Sequence, residues 1–279
     1  MCNSRIVVLS LCLVGLGLAS RVEAAHLGRM QANEILFLGN SITFCPQPTS
    51  EDWWGLSASD PDHDYAHLLV QKINQATGGI LTIVPPDPPQ GTPPDGGDGE
   101  TRWEAGDPPP NYNGNIINVC DIFELSFDTW ENVRIQNQLD LQPDIVVIQL
   151  GENTNWQGRT LEQFRTGLDT MLTGLKNSSN PHIFVTGYIL GSNWPVDEIK
   201  RQLCAEDPDR RVFVDLSMIG QDPANIGAYG HPNDQGMSVI ANVVYDAMLA
   251  HSAPEPCTMA LVATGMLFLQ TRTRRKRQS

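Results

Sequence analysis

The chain is poor in the features that most easily assign a protein. Of its six cysteines, only Cys45, Cys120 and Cys204 lie away from the ends, and none forms a CxxC pair. That spacing offers neither a zinc ribbon nor a thioredoxin-type redox motif, and three thiols cannot all pair within one chain. No apolar run reaches the ~20 residues that span a bilayer as a helix. Positive charge is scarce: 18 Lys+Arg stand against 32 Asp+Glu, a formal net charge of −14. Because Arg272, Arg274, Arg275, Lys276 and Arg277 crowd the far end, the body is more acidic still. Such a body repels nucleic acid and anionic lipid surfaces, while neutral polymers and glycans remain compatible. Asp60-Pro61-Asp62-His63-Asp64 lacks the glycine and distant glutamate of an EF-hand loop and reads as a polar helix start. No metal-ligand cluster is visible, and neither metal nor cofactor is expected.

What is present includes 41% hydrophobic residues in 279, enough for a sizeable core. Both ends carry processing patterns. Arg5 precedes an apolar run at residues 6–18, and Val22-Glu23-Ala24 suits cleavage before Ala25, so residues 1–24 read as a secretory signal peptide. At the other end, Pro254-Glu255-Pro256 is followed by an apolar stretch at 257–269 and then the basic cluster. This order resembles a PEP-CTERM sorting signal, assigning 253–279 to a short apolar helix with a basic tail. The resemblance implies a bacterial exported protein held transiently in the membrane by its C-terminal segment and handed to an exosortase-type processing protease. Its expected location is the cell surface or the extracellular space.

The body, residues 25–252, alternates strand and helix patterns. Strands are expected at 34–38, 80–84, 145–150, 182–186 and 212–215, the third continuously apolar as a central parallel strand should be. Helical stripes run through Tyr65, Leu68, Leu69 and Ile73, and through Phe127, Trp130 and Val133 before Pro143. Thr160-Leu161-Glu162-Gln163 is a capping box opening a helix striped by Phe164, Leu168, Met171, Leu172 and Leu175. Another helix begins at Pro195 and carries Ile199 and Leu203. Asn233 is placed to cap a last helix striped by Met237, Ile240, Ala241, Val244, Tyr245 and Met248. A Pro/Gly/Asp-rich stretch at about 85–115 has no apolar periodicity and reads as an irregular surface insertion. The expected fold is an α/β/α three-layer sandwich around a five-stranded, mainly parallel sheet in flavodoxin-like order 2-1-3-4-5.

In that order the first and third strands are neighbours at the switch point, where ligands bind beyond the strands' carboxyl ends. Phe37-Leu38-Gly39-Asn40-Ser41 would display Ser41 at the end of the first strand, and Gly151-Glu152-Asn153 follows the third. His231-Pro232-Asn233-Asp234 returns to the same edge after the fifth. Taken singly, Ser41 is equally a turn residue or helix cap, Asn153 a loop amide and His231 a surface histidine. Trp53, Trp54 and Trp156 lie close to these motifs in sequence, and either stack on sugar rings or pack the core.

Together the three motifs, spanning about residues 34–249, resemble the SGNH (GDSL-type) hydrolase family. The resemblance implies Ser41 as serine nucleophile, His231 as general base, and Asn153 with the Ser41 N–H as oxyanion donors. It also implies a further glycine donor, for which Gly114 is the candidate. Two features depart from the family: Ala228 stands where an aspartate usually precedes the histidine, and Thr154 follows Asn153 in place of aspartate. The orienting partner of His231 is therefore either Asp222, or a backbone carbonyl that makes a Ser–His dyad; Asp234 better suits the last helix's N-terminus. The activity implied is a secreted esterase acting on a small-molecule or polysaccharide ester, with carbohydrate or short-chain acyl esters first. A lipase or lysophospholipase, and a catalytically silent surface-displayed binding or matrix protein, are the alternatives.

Overall fold

A computed structural model describes residues 24–46, 53–86, 113–189 and 194–253. The segments read as signals fall almost wholly outside this range, as does the middle of the insertion. Five strands, β1 (Ile35–Gly39), β2 (Ile116–Asn118), β3 (Ile145–Gln149), β4 (His182–Thr186) and β5 (Arg211–Val214), form one sheet. Their order is β2-β1-β3-β4-β5 with every pairing parallel, which is the expected 2-1-3-4-5 arrangement.

Alternation along the strands sorts the core into two layers. Ile35, Phe37, Ile145, Val147 and Phe184 pack with Tyr65, Leu69 and Ile73 of α1 (Tyr65–Thr77) and with Met237, Ile240 and Val244 of α5 (Asp234–Ser252). Leu36, Leu38, Val146, Ile148, Ile183 and Val185 face the opposite way. There they meet Phe164, Leu168 and Met171 of α3 (Leu161–Ser179) and Val196 and Leu203 of α4 (Trp194–Ala205). Strands buried on both faces explain why these segments read as continuous apolar runs.

Two expectations are corrected. Residues 80–84 form no strand: Ile80 is 86% and Val84 51% exposed, whereas Ile116 and Ile117 are fully buried in β2. The earlier segment instead hangs on Asn115, whose Oδ1 accepts from Val84 N at 2.7 Å and whose Nδ2 donates to Thr82 O at 2.8 Å. The insertion therefore ends where the second strand begins. The helix expected around Phe127, Trp130 and Val133 is also broken. Extended backbone at Trp130 and Glu131 separates two single 3-10 turns, Phe127–Thr129 and Asn132–Ile135, before the short α2 (Gln136–Asp140).

The helix caps follow the sequence closely. Thr160 accepts from Gln163 N at 3.2 Å while Gln163 Oε1 accepts from Thr160 N at 2.8 Å, completing the capping box of α3. Asn233 Oδ1 accepts from Gly236 N at 3.0 Å at the start of α5. Thr160→Ala should cost about 1 kcal/mol and lower the thermal midpoint by about 3 °C. An unchanged midpoint in a melting curve would mean that the cap is dispensable to α3.

Candidate active site

The turn after β1 is built on a close approach. A Cβ on Gly39 would lie 1.9 Å from Thr43 Oγ1 and 2.4 Å from Thr43 Cβ, so only glycine fits there. The chain then folds back over Asn40, whose carbonyl accepts from Thr43 N and Phe44 N, both at 3.0 Å. Asn40 Oδ1 takes Ile42 N at 3.0 Å. Ser41 is left partly exposed at the top of this turn, and its own N–H makes no hydrogen bond among the described residues.

The loop after β5 brings His231 to it. Ser41 Oγ lies 2.8 Å from His231 Nε2, and His231 Nδ1 lies 2.9 Å from the backbone oxygen of Tyr229. A carbonyl only accepts, so the proton sits on Nδ1 and the Nε2 lone pair faces the serine hydroxyl. The carbonyl is aimed by an uncommon backbone: Tyr229 has φ 59° and ψ 16° in the left-handed region, followed by Gly230 at φ 72°. Non-glycine residues with positive φ cluster at functional sites because surrounding structure must hold them there. Here the holding bonds are Gly227 N to His231 O at 2.7 Å and Ser57 Oγ to Ala228 O at 2.6 Å.

Two candidates from the sequence lie elsewhere. Asp222 does not orient the imidazole; its carboxylate accepts from Ala224 N at 3.0 Å, capping the turn Pro223–Asn225. Gly114 precedes the amino end of β2 and so sits at the sheet edge opposite Ser41. Its positive φ of 125° serves a different need: a Cβ there would lie 2.5 Å from Val84 O. The carboxyl end of β2 leads instead to Cys120, whose N–H is taken by Asn118 Oδ1 at 2.9 Å. Asp234 accepts from Ser59 N at 2.7 Å in the first turn of α5. Trp156 packs on Phe127 and Phe164, and Trp53 on Phe44, which places both in the packing role.

Asn153 stands on the turn after β3; its Nδ2 donates to Glu124 Oε2 at 2.9 Å, and its side-chain amide also hydrogen-bonds the Cys120 thiol. Glu124 was not singled out in the sequence, although an acidic residue inside the apolar stretch Ile122-Phe123-Glu124-Leu125 is its signal. Glu152, the middle residue of Gly151-Glu152-Asn153, accepts from Gln149 Nε2 at 2.7 Å and from Asn40 Nδ2 at 2.9 Å. Burial pushes its carboxyl up from 4.5 to about 7, with the Lys200 ammonium opposing and the Glu124 carboxylate adding. Burial chiefly, and Glu124, likewise keep the Cys120 thiol well above its usual range.

No family model matches the chain, and no curated protein matches it by sequence. Solved structures do match. A two-domain esterase active on acetylated mannans, crystallised with mannopentaose, superposes with a TM-score of 0.51 at 17% identity over 80% of this chain. The likeness is one of fold. The chain spans 52% of that protein's length, about half of the two-domain molecule. TesA aligns with a TM-score of 0.47 at 15% identity, over 78% of this chain and 98% of its own. A carbohydrate esterase of family 3 from Talaromyces cellulolyticus aligns at 0.44 and 18% identity, over 79% of this chain and 98% of its own.

The raised Glu152 carboxyl has a measurable consequence. Between pH 4.5 and about 7 the folded protein retains a proton that the unfolded chain has released. This contribution to stability is present below 4.5 and is lost as pH rises to about 7. Glu152→Gln is neutral at every pH and lacks that loss. In urea denaturation, wild type should therefore gain stability relative to Glu152→Gln between pH 8 and pH 5. A gap independent of pH would mean that Glu152 titrates normally in the fold.

Proposed function

We propose that the protein is a serine esterase in which Ser41 and His231 act as a dyad, with the Tyr229 carbonyl orienting the imidazole. The observation that carries this reading is the relay from Ser41 Oγ through both ring nitrogens of His231 to Tyr229 O, at 2.8 and 2.9 Å. Ser41 Oγ attacks the ester carbonyl carbon as His231 Nε2 takes its proton. The oxyanion is met by the Ser41 N–H and by the Asn153 amide, which exchanges its hydrogen bond to the Cys120 thiol for one to the oxyanion. As the tetrahedral intermediate collapses, His231 returns the proton to the departing alcohol. A water deprotonated by the same nitrogen then attacks the acyl-serine, releasing the acid and regenerating Ser41. No side-chain carboxylate orients the imidazole in this scheme.

Carbohydrate esters with short acyl groups are the proposed substrates. The acidic body favours neutral polymers over anionic lipid, and the fold is shared with an esterase active on acetylated mannans. We place the protein outside the cytoplasm, exported by residues 1–24. Residues 253–279 would hold it transiently in the membrane until an exosortase-type protease removes them. Mass spectrometry of native material reads this directly: peptides from residues 25–252 are expected, and peptides reaching Ser279 in the mature population would overturn it.

Ser41→Ala should reduce hydrolysis of p-nitrophenyl acetate at least about a thousandfold with little change in thermal midpoint. Asp222→Asn should leave kcat within about tenfold of wild type, because losing an orienting carboxylate costs about 10⁴. A collapse in Asp222→Asn would return that residue to the catalytic set. Rates that rise from acetate to long acyl esters would favour a lipase instead. Absence of turnover across the whole series would favour a silent binding domain.

A further inference from the structure

Glu124 is fully buried and makes no ion pair among the described residues. A buried carboxylate is costly unless its oxygens are well supplied with donors, and the donors here are telling. Oε1 accepts from Gly151 N, and from Asn40 Nδ2 at 3.3 Å. Oε2 accepts from Asn153 Nδ2 at 2.9 Å. The Glu124 backbone carbonyl adds Asn155 N at 3.0 Å. One residue thus grips the turn after β3 at Gly151, Asn153 and Asn155, and through Asn40 also grips the turn that carries Ser41. Among the described residues its side chain otherwise meets only the Cys120 thiol; the remaining bonds all go to these two turns.

We propose that Glu124 is the positioning residue of the oxyanion site, holding the Asn153 amide through one N–H and so fixing it at a set offset from Ser41. The inference rests on the esterase reading above. A carboxylate suits the task because both oxygens only accept. Glutamine of the same shape must turn its NH₂ either toward Asn153 or toward Gly151 N and Asn40 Nδ2, and each choice sets donor against donor.

The test is a double-mutant cycle on the full chain with p-nitrophenyl acetate. Glu124→Gln should lower kcat about a hundredfold, the loss typical of one oxyanion donor, with KM within about twofold. Asn153→Ala should lose a similar amount. If Glu124 acts through Asn153, the double mutant should fall no more than about threefold below Asn153→Ala alone, whereas independent roles would multiply. Should Glu124→Gln not accumulate as folded protein, Glu124→Asp enters the same cycle, since it keeps the acceptor-only charge but not the reach. Wild-type kcat in the Glu124 variant, or multiplying losses, would overturn the proposal. Ser41→Ala separates the two levels of the argument. If Ser41→Ala is inactive and the Glu124 variant is fully active, only the positioning role fails; if Ser41→Ala remains active, the esterase reading fails and this inference with it.

Discussion

The site depends on one backbone register. Parallel pairing of β1 with β3 sets Ile35 opposite Ile145 and Gly39 opposite Gln149, so the two strands end level. Everything beyond that edge is a turn whose starting point the ladder has already decided. The Ser41 turn leaves from one strand and the Gly151–Asn153 turn from its neighbour. The spacing of adjacent strands, about 4.8 Å, brings the two turns within reach of a single buried side chain. A slip of one residue would exchange the two faces of β1, sending Phe37 toward the layer of Leu36 and Leu38. The apolar residues of both faces thus fix the relative height of the two turns.

Much of this was legible because the relevant signals are local. Val146, Val147 and Ile148 announce a strand buried on both sides, and Thr160 with Gln163 announces a helix start through bonds that span three residues. Ser41, Asn153 and His231 were legible as strand-end residues once the strand order was inferred. The strand at Ile116 was missed because it is short and follows a long polar stretch, while residues 80–84 carry a stronger apolar pattern yet bury only Leu81 and leave Ile80 and Val84 exposed. Periodicity reports what a segment is able to bury, and competition for the sheet edge decides which segment does. Gly114 was misplaced for the same reason: with the second strand assigned too early, a glycine at its amino end was taken for one beyond its carboxyl end.

Glu124 was illegible for another reason. Its partners, Asn40 and Asn153, lie far from it in sequence on either side, and no spacing rule links them. The nearby Glu152 shows how tightly the region is packed, since two carboxylates share the Asn40 amide, one bond to each. Such a network has meaning only in the folded chain, where water is excluded and each donor is counted.

The contact between His231 and the carbonyl of Tyr229 sets this site apart from one built on three side chains. A main-chain oxygen belongs to no particular amino acid, so replacing a side chain does not delete it. What preserves it is a conformation: the left-handed turn at residues 229 and 230. Any residue that tolerates that turn, glycine and asparagine foremost, presents the same oxygen to the ring. The acceptor facing Nδ1 is thus specified by loop shape, invisible to a search for an aspartate and compatible with more than one letter at position 229.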